Sequence, residues 1–113
     1  MKNDEALVAR INTYCKEIMQ FVDEYDFESF LDDIKTSRAC SASVEQIGEC
    51  AKKISKDFKA AHAHIPWRNI TGTRDIIAHN YDGINWETLW QIINKSIPEL
   101  LEFTDEILKL GND

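Results

Sequence analysis

Leu7-Val8-Ala9-Arg10-Ile11-Asn12-Thr13-Tyr14-Cys15-Lys16-Glu17-Ile18-Met19-Gln20-Phe21-Val22 sets Leu7, Ile11, Tyr14, Ile18 and then Phe21 or Val22 at intervals of three and four residues, with Lys, Glu and polar residues between them. That interval returns a side chain to the same side of an α-helix once per turn, so one face is apolar and the other is wetted. The spacing predicts an amphipathic helix from about residue 4 to residue 24. No stretch of the chain alternates apolar and polar residues for long enough to read as a strand.

Working outward, Asp26 is placed to cap a short second helix carrying Phe27, Phe30, Leu31 and Ile34, with Glu28 or Ser29 in its first turn. This helix is expected to run into the next with only a bend near residues 35–37. From Ser37 to Ser55 the apolar face is built of Ala39, Cys40, Ser43, Val44, Ile47, Cys50, Ala51 and Ile54, small residues that let helices approach closely. Gly48 interrupts that helix at a cost of about 1 kcal/mol relative to Ala, which a close backbone contact would explain. Glu45 and Glu49 share a face, either as a solvated edge or facing a cleft.

Residues 57–64 read as a connection. Pro66 then opens a helix whose buried side holds Trp67, Ile70 and Ile77, with Gly72 as a second point of close approach. Asp82-Gly83 is a turn signal, and Asn85 caps a last helix bearing Trp86, Leu89, Trp90, Ile93 and Ile97. Pro98 should kink that helix or start it afresh before it ends near Gly111. The expected fold is all-α, one domain over residues 1–113: an up-and-down four-helix bundle with an additional short or kinked helix. The aromatic content of the last helix leaves a face that a homodimer would bury.

The chain of 113 residues is 43% hydrophobic, which excludes disorder, and has only two prolines and four glycines to interrupt helices. Twenty acids against thirteen Lys and Arg give a net charge of −7, which repels polyanions at long range. Any nucleic-acid contact must therefore rest on a locally positive surface and be sensitive to salt. Three cysteines, Cys15, Cys40 and Cys50, lie in helical patterns and suit buried thiols of a reducing compartment rather than a disulfide framework. The charged start of the chain lacks a signal-like apolar core, and no run is long enough to span a membrane, so a cytoplasmic protein without membrane contact is expected.

Chemistry is concentrated in Arg74-Asp75-Ile76-Ile77-Ala78-His79-Asn80-Tyr81. Asp75 and His79 are four apart and share a helical face, so the carboxylate can orient the imidazole and raise its basicity. Arg74 and His79 are five apart and diverge by about 140° on one helix, so they meet only by the reach of Arg74, by loosening at the helix end, or across a second copy. Arg74 also falls in the apolar line of Trp67, Ile70, Ile77 and Tyr81, where a guanidinium needs a partner or an anion. The plainer alternatives are an Arg74–carboxylate pair, His79 as a C-terminal cap and Tyr81 as a packing residue. His62 and His64 have no HExxH or paired CxxC beside them, and glycine-rich phosphate loops are absent, so neither a metal nor a cofactor is called for.

Arg74-x4-His79-x-Tyr81, with Ile65-Pro66-Trp67-Arg68 ahead of it, Gly72 within the helix, and Ile47-Gly48-Glu49 followed by Ala51-Lys52 in the preceding helix, resembles the HEPN superfamily, specifically its HepT-like toxin branch. The agreement in spacing and helix order covers nearly the whole chain. The resemblance implies a small helical dimer acting as a metal-independent RNA endoribonuclease, the toxin of a type VII toxin-antitoxin system. Carried over by position, it implies Arg74 and His79 as the catalytic pair, with Asp75 in support. It implies as partner an MntA-type nucleotidyltransferase antitoxin that silences the toxin by AMPylation of Tyr81, and as substrate a tRNA or mRNA cleaved by attack of its own 2′-hydroxyl. The competing reading is a non-catalytic substrate-binding partner of a minimal nucleotidyltransferase.

Overall fold

The structure is a computed structural model and describes residues 2–78 and 83–111. All regular elements among these residues are helical. A first helix, α1, spans Lys2–Phe21; a short α2 spans Phe27–Asp32; a long α3 spans Ile34–Lys53; a short α4 spans Lys56–Ala61; and α5 spans Trp67–Ala78. Then α6, Trp86–Gln91, passes through a π-helical turn, Ile92–Ser96, into α7, Ile97–Gly111. The main pairings are α1 with α3, α1 with α7 and α3 with α5, which makes an all-α bundle with the two short helices at its corners.

Of the stripe that predicts α1, Ile11 and Ile18 are fully buried while Leu7 and Tyr14 are half-buried; Val8 and Cys15 complete the buried face, which meets Cys40, Val44, Ile47 and Ala51 of α3 and Ile93, Ile97 and Leu100 of the last segment in one core. The helix ends three residues earlier than the sequence reading, because Glu24 takes a left-handed conformation (φ 67°) and turns the chain. Val22 is the buried member of the pair at the helix end, while Phe21 faces solvent. Phe30 is the buried anchor of α2, under Trp86 and Trp90 at ring-centroid distances of 6.3 and 4.8 Å.

Caps set the boundaries. Asp26 and Ser29 form a reciprocal capping box at α2. The break after α2 falls at Asp33, not at residues 35–37, because the Asp33 carboxylate accepts the Thr36 amide (3.1 Å) and hydroxyl (2.8 Å) and so starts α3. Leu31 and Ile34, expected on the apolar face, lie 41% and 69% exposed at this corner. Residues 57–64, expected as a connection, instead contain most of α4. Ser55 caps it by accepting the Phe58 amide at 3.1 Å, and donates its own amide and hydroxyl to the buried Asp4 carboxylate at 2.9 and 2.7 Å. Asp4 thus fastens the start of α1 to the corner between α3 and α4.

Asn85 caps α6 as expected, accepting from the Thr88 amide at 3.1 Å. Where the sequence predicts a kink or a fresh start at Pro98, the chain stays helical from Trp86 to Gly111, with a π turn just ahead of the proline. The Ile97 amide reaches back to the Ile92 carbonyl, one residue further than in an α-helix, and this widened turn accommodates the ring and the missing donor of Pro98. The Asn94 side chain donates to the Trp90 carbonyl at 2.8 Å in the widened turn. No helix among the described residues is long and apolar enough to cross a membrane.

Candidate active site

The helix that carries the candidate motif is positioned from its first residue. Trp67 is buried, and its indole nitrogen donates to the His62 carbonyl at 3.1 Å, which fixes the entry into α5. The Pro66 carbonyl accepts the Ile70 amide at 3.1 Å, so the proline stands at the helix start, where its ring does no harm. Ile70 is buried against α3, and there the two backbones come close. A Cβ on Gly48 would sit 3.5 Å from the Ile70 carbonyl oxygen and 3.6 Å from the Thr73 hydroxyl, so the helices do meet at Gly48, at an ordinary van der Waals distance that a methyl group would fit. Gly72 differs: among the described residues a Cβ there would have no neighbour within 4 Å.

Beside α5 runs a groove of about 590 Å³, bounded on the other side by the π turn and α7. Its floor is apolar, with Ile47, Ile70, Ile97 and Leu100, and its rim includes Thr73, Lys95 and Glu99. Thr73, one of its lining residues, immediately precedes Arg74 in α5. The Thr73 hydroxyl donates to the Ile70 carbonyl at 2.7 Å and the Thr71 hydroxyl to the Arg68 carbonyl at 3.1 Å; both are engaged within the helix.

Arg74 and Asp75 belong to α5. The side chains of these two, and His79 and Tyr81 as whole residues, lie outside the described residues. Glu45 and Glu49 are half-buried on α3. His62 and His64 belong to a run of aromatic rings. His62 stacks on Phe58 at 4.4 Å, His64 lies 6.2 Å from His62, and Phe103 of α7 meets His64 edge-on at 5.5 Å. Among the described residues no group of three or more His, Cys, Asp or Glu side chains is placed to hold a metal ion. Neither the ring run nor the groove is among the features the sequence predicts. His62-x-His64 is the visible trace of the first; the second depends on how α5 and α7 are spaced.

Comparison with known proteins adds an independent line. The family described as Ribonuclease HepT-like matches residues 11–107, a span that includes Arg74, Asp75, His79 and Tyr81. A candidate RNase of Caldanaerobacter subterraneus is 37% identical over 109 residues, covering 96% of this chain and 97% of that protein. A candidate RNase of Methanocaldococcus jannaschii is 34% identical over 108 residues, 96% and 89% of the two chains. A protein of Thermococcus cleftensis named as a candidate ribonuclease HepT is 42% identical over 83 residues, 74% and 76% of the two. No solved structure matches significantly.

Proposed function

Because this chain belongs to the HepT-like ribonuclease family, we propose that it is the toxin of a toxin-antitoxin pair, an endoribonuclease that acts without a metal ion and uses the substrate's own 2′-hydroxyl as nucleophile. The observation that carries this reading is the family match across residues 11–107, which contains the whole Arg74-x4-His79-x-Tyr81 arrangement.

In the proposed reaction the 2′-oxygen attacks phosphorus and the bond to the 5′-oxygen breaks, leaving a 2′,3′-cyclic phosphate and a free 5′-hydroxyl. His79 takes the proton from the 2′-hydroxyl or gives one to the departing 5′-oxygen, and Asp75, four residues before it, sets its tautomer. Arg74 holds the scissile phosphate and offsets the charge that grows on its oxygens. A homodimer supports this division of labour, since it supplies two copies of each group and removes the difficulty of a five-residue spacing on one helix. The apolar groove beside α5 is the surface we assign to the second copy: Thr73, which lines it, immediately precedes Arg74. Regulation is assigned to a nucleotidyltransferase antitoxin that adds AMP to Tyr81, placing bulk and negative phosphate beside the groups that bind RNA.

The test is time-resolved cleavage of defined tRNA and mRNA by wild type, Arg74→Ala and His79→Ala in EDTA, with antitoxin removed. Cleavage in EDTA that both variants lose is the expected result. No cleavage by a folded wild type whose intact mass is free of AMP would replace the enzyme reading with that of a non-catalytic partner of the nucleotidyltransferase. Incubation with the antitoxin, ATP and Mg²⁺ should raise the intact mass by AMP increments in wild type and not in Tyr81→Phe.

A further inference from the structure

The charge of −7 is not spread evenly. Between Glu17 and Asp33 there are seven acids and no base, whereas residues 52–68 hold five cations, Lys52, Lys53, Lys56, Lys59 and Arg68, against the single acid Asp57. The hydrogen bonds from Ser55 to Asp4 bring the start of α1 to the end of α3, so these 20-residue helices run antiparallel. The acidic sector, at the far end of α1, is therefore on the order of 30 Å from the basic one. Lys52, Lys53, Lys56 and Arg68 are exposed, and none of the five cations forms an ion pair among the described residues. Asp4, which the fold brings to this corner, is buried with both carboxylate oxygens committed to Ser55, while Glu5 beside it and Glu102 beside Phe103 are the exposed acids at its margin.

Rings are interleaved with these cations. Trp67, Phe58, His62, His64 and Phe103 follow one another at centroid distances of 6.2, 4.4, 6.2 and 5.5 Å. Trp67 is buried, Phe58, His62 and Phe103 are half-buried, and His64, between His62 and Phe103, is the exposed member of the run. Cations that track a phosphate backbone, next to an exposed planar ring that can stack a base, are what a single-stranded nucleic acid requires. Arg68 stands six residues before Arg74 on the same helix, on the order of 9 Å along its axis and about 120° around it, so a strand that follows the cations reaches the motif by wrapping partly around α5.

We propose that Lys52, Lys53, Lys56, Arg68 and the exposed ring of His64 form the surface that holds single-stranded RNA beside the cleavage site, the cations gripping flanking phosphates and His64 stacking an unpaired base. The proposal rests on the ribonuclease reading and adds where the substrate lies outside the reacting linkage.

The experiment measures binding of the full chain to a fluorescent 2′-O-methyl oligoribonucleotide, which lacks the nucleophile, across a range of salt, and cleavage of the unmodified RNA in parallel. Lys53→Gln/Lys56→Gln should weaken binding about tenfold at low salt and lower the slope of log affinity against log salt by about 1.4, two phosphate contacts on a single strand. Lys16→Gln/Lys35→Gln, with the same loss of charge elsewhere, should leave both unchanged. His64→Ala should weaken binding at least about fivefold with no change in slope, the signature of stacking rather than charge. Thermal melts of the variants check that each is folded. If wild type binds and cleaves RNA and the patch variants do so equally well, the surface is overturned while the ribonuclease reading stands. If wild type neither binds nor cleaves, both fall. Patch variants that keep RNA but lose an acidic protein partner would also overturn it, in favour of a protein-docking role.

Discussion

Asp4 shows how a single buried charge can be retained in a small core. Both of its oxygens accept from Ser55, and these hydrogen bonds hold its carboxyl below the usual carboxylate range, with burial working in the opposite direction. A depressed native pKa means stability that is present above the unfolded value, near 3.9, and is lost as pH falls through the native one. Asp4→Asn should therefore cost about 1–3 kcal/mol at neutral pH, since an amide donor would face the Ser55 donors. The gap to wild type should narrow in acid, and urea unfolding measured from pH 7 down to pH 3 checks both the loss and its direction. Other buried residues follow the same logic with less at stake. Asn12 reaches Thr104 at 2.9 Å and Asp105 at 2.8 Å, tying α1 to α7. Burial pushes the Cys15 thiol up to about 12 and Cys40 to about 11, so both are inert thiols, in keeping with the sequence reading of buried cysteines.

Two elements carry predictions of their own. In α5, Gly72 forgoes about 1 kcal/mol of helix propensity, yet nothing among the described residues lies near the Cβ it lacks. Gly72→Ala should raise thermal stability by that amount; with a second molecule seated against α5, as proposed for the dimer or for RNA, cleavage should fall as the melting temperature rises. Unchanged cleavage would show that the open space at Gly72 is never filled. The π turn at residues 92–96 holds one residue more than an α-helical path needs, and Pro98 follows it. Deleting Lys95 should leave the flanking faces in phase but bring Pro98 into an uninterrupted helix, at a cost of about 3 kcal/mol. Adding Pro98→Ala to the deletion should recover most of that loss in a denaturant melt. The long helices and two of the four caps among the described residues, Asp26 and Asn85, were legible in the sequence because they depend on local spacing. The caps at Asp33 and Ser55, the α4 helix and the exposure of Leu31 and Ile34 were not, since each depends on how neighbouring corners fold over one another.

At the scale of the whole molecule, the apolar groove between α5 and the last segment is the surface that a monomer leaves least explained. Ile92 lines it from the π turn and is only half-buried. With the second copy seated there, Ile92→Glu should yield a folded monomer by light scattering, its melting point near wild type and its RNA cleavage lost. A variant that stays dimeric and active would move the subunit contact to another face. Arg74, Asp75, His79 and Tyr81 are singled out by the sequence and carry the proposal, whereas nothing in the sequence points to the groove that Thr73 lines. A line of sequence records what lies on one helix, whereas a groove is set by the distance between two.

The separation of an acidic pole from a basic one has a kinetic meaning as well. In the field of an approaching polyanion, such a molecule experiences a torque: one end is drawn in and the other is turned away before any contact is made. Encounters are thereby sorted by orientation, and collisions that present the acidic end are discouraged at a distance. Added salt should accordingly slow arrival more than it hastens departure, and a protein with an overall charge of the wrong sign can still meet its polyanion productively, right end first.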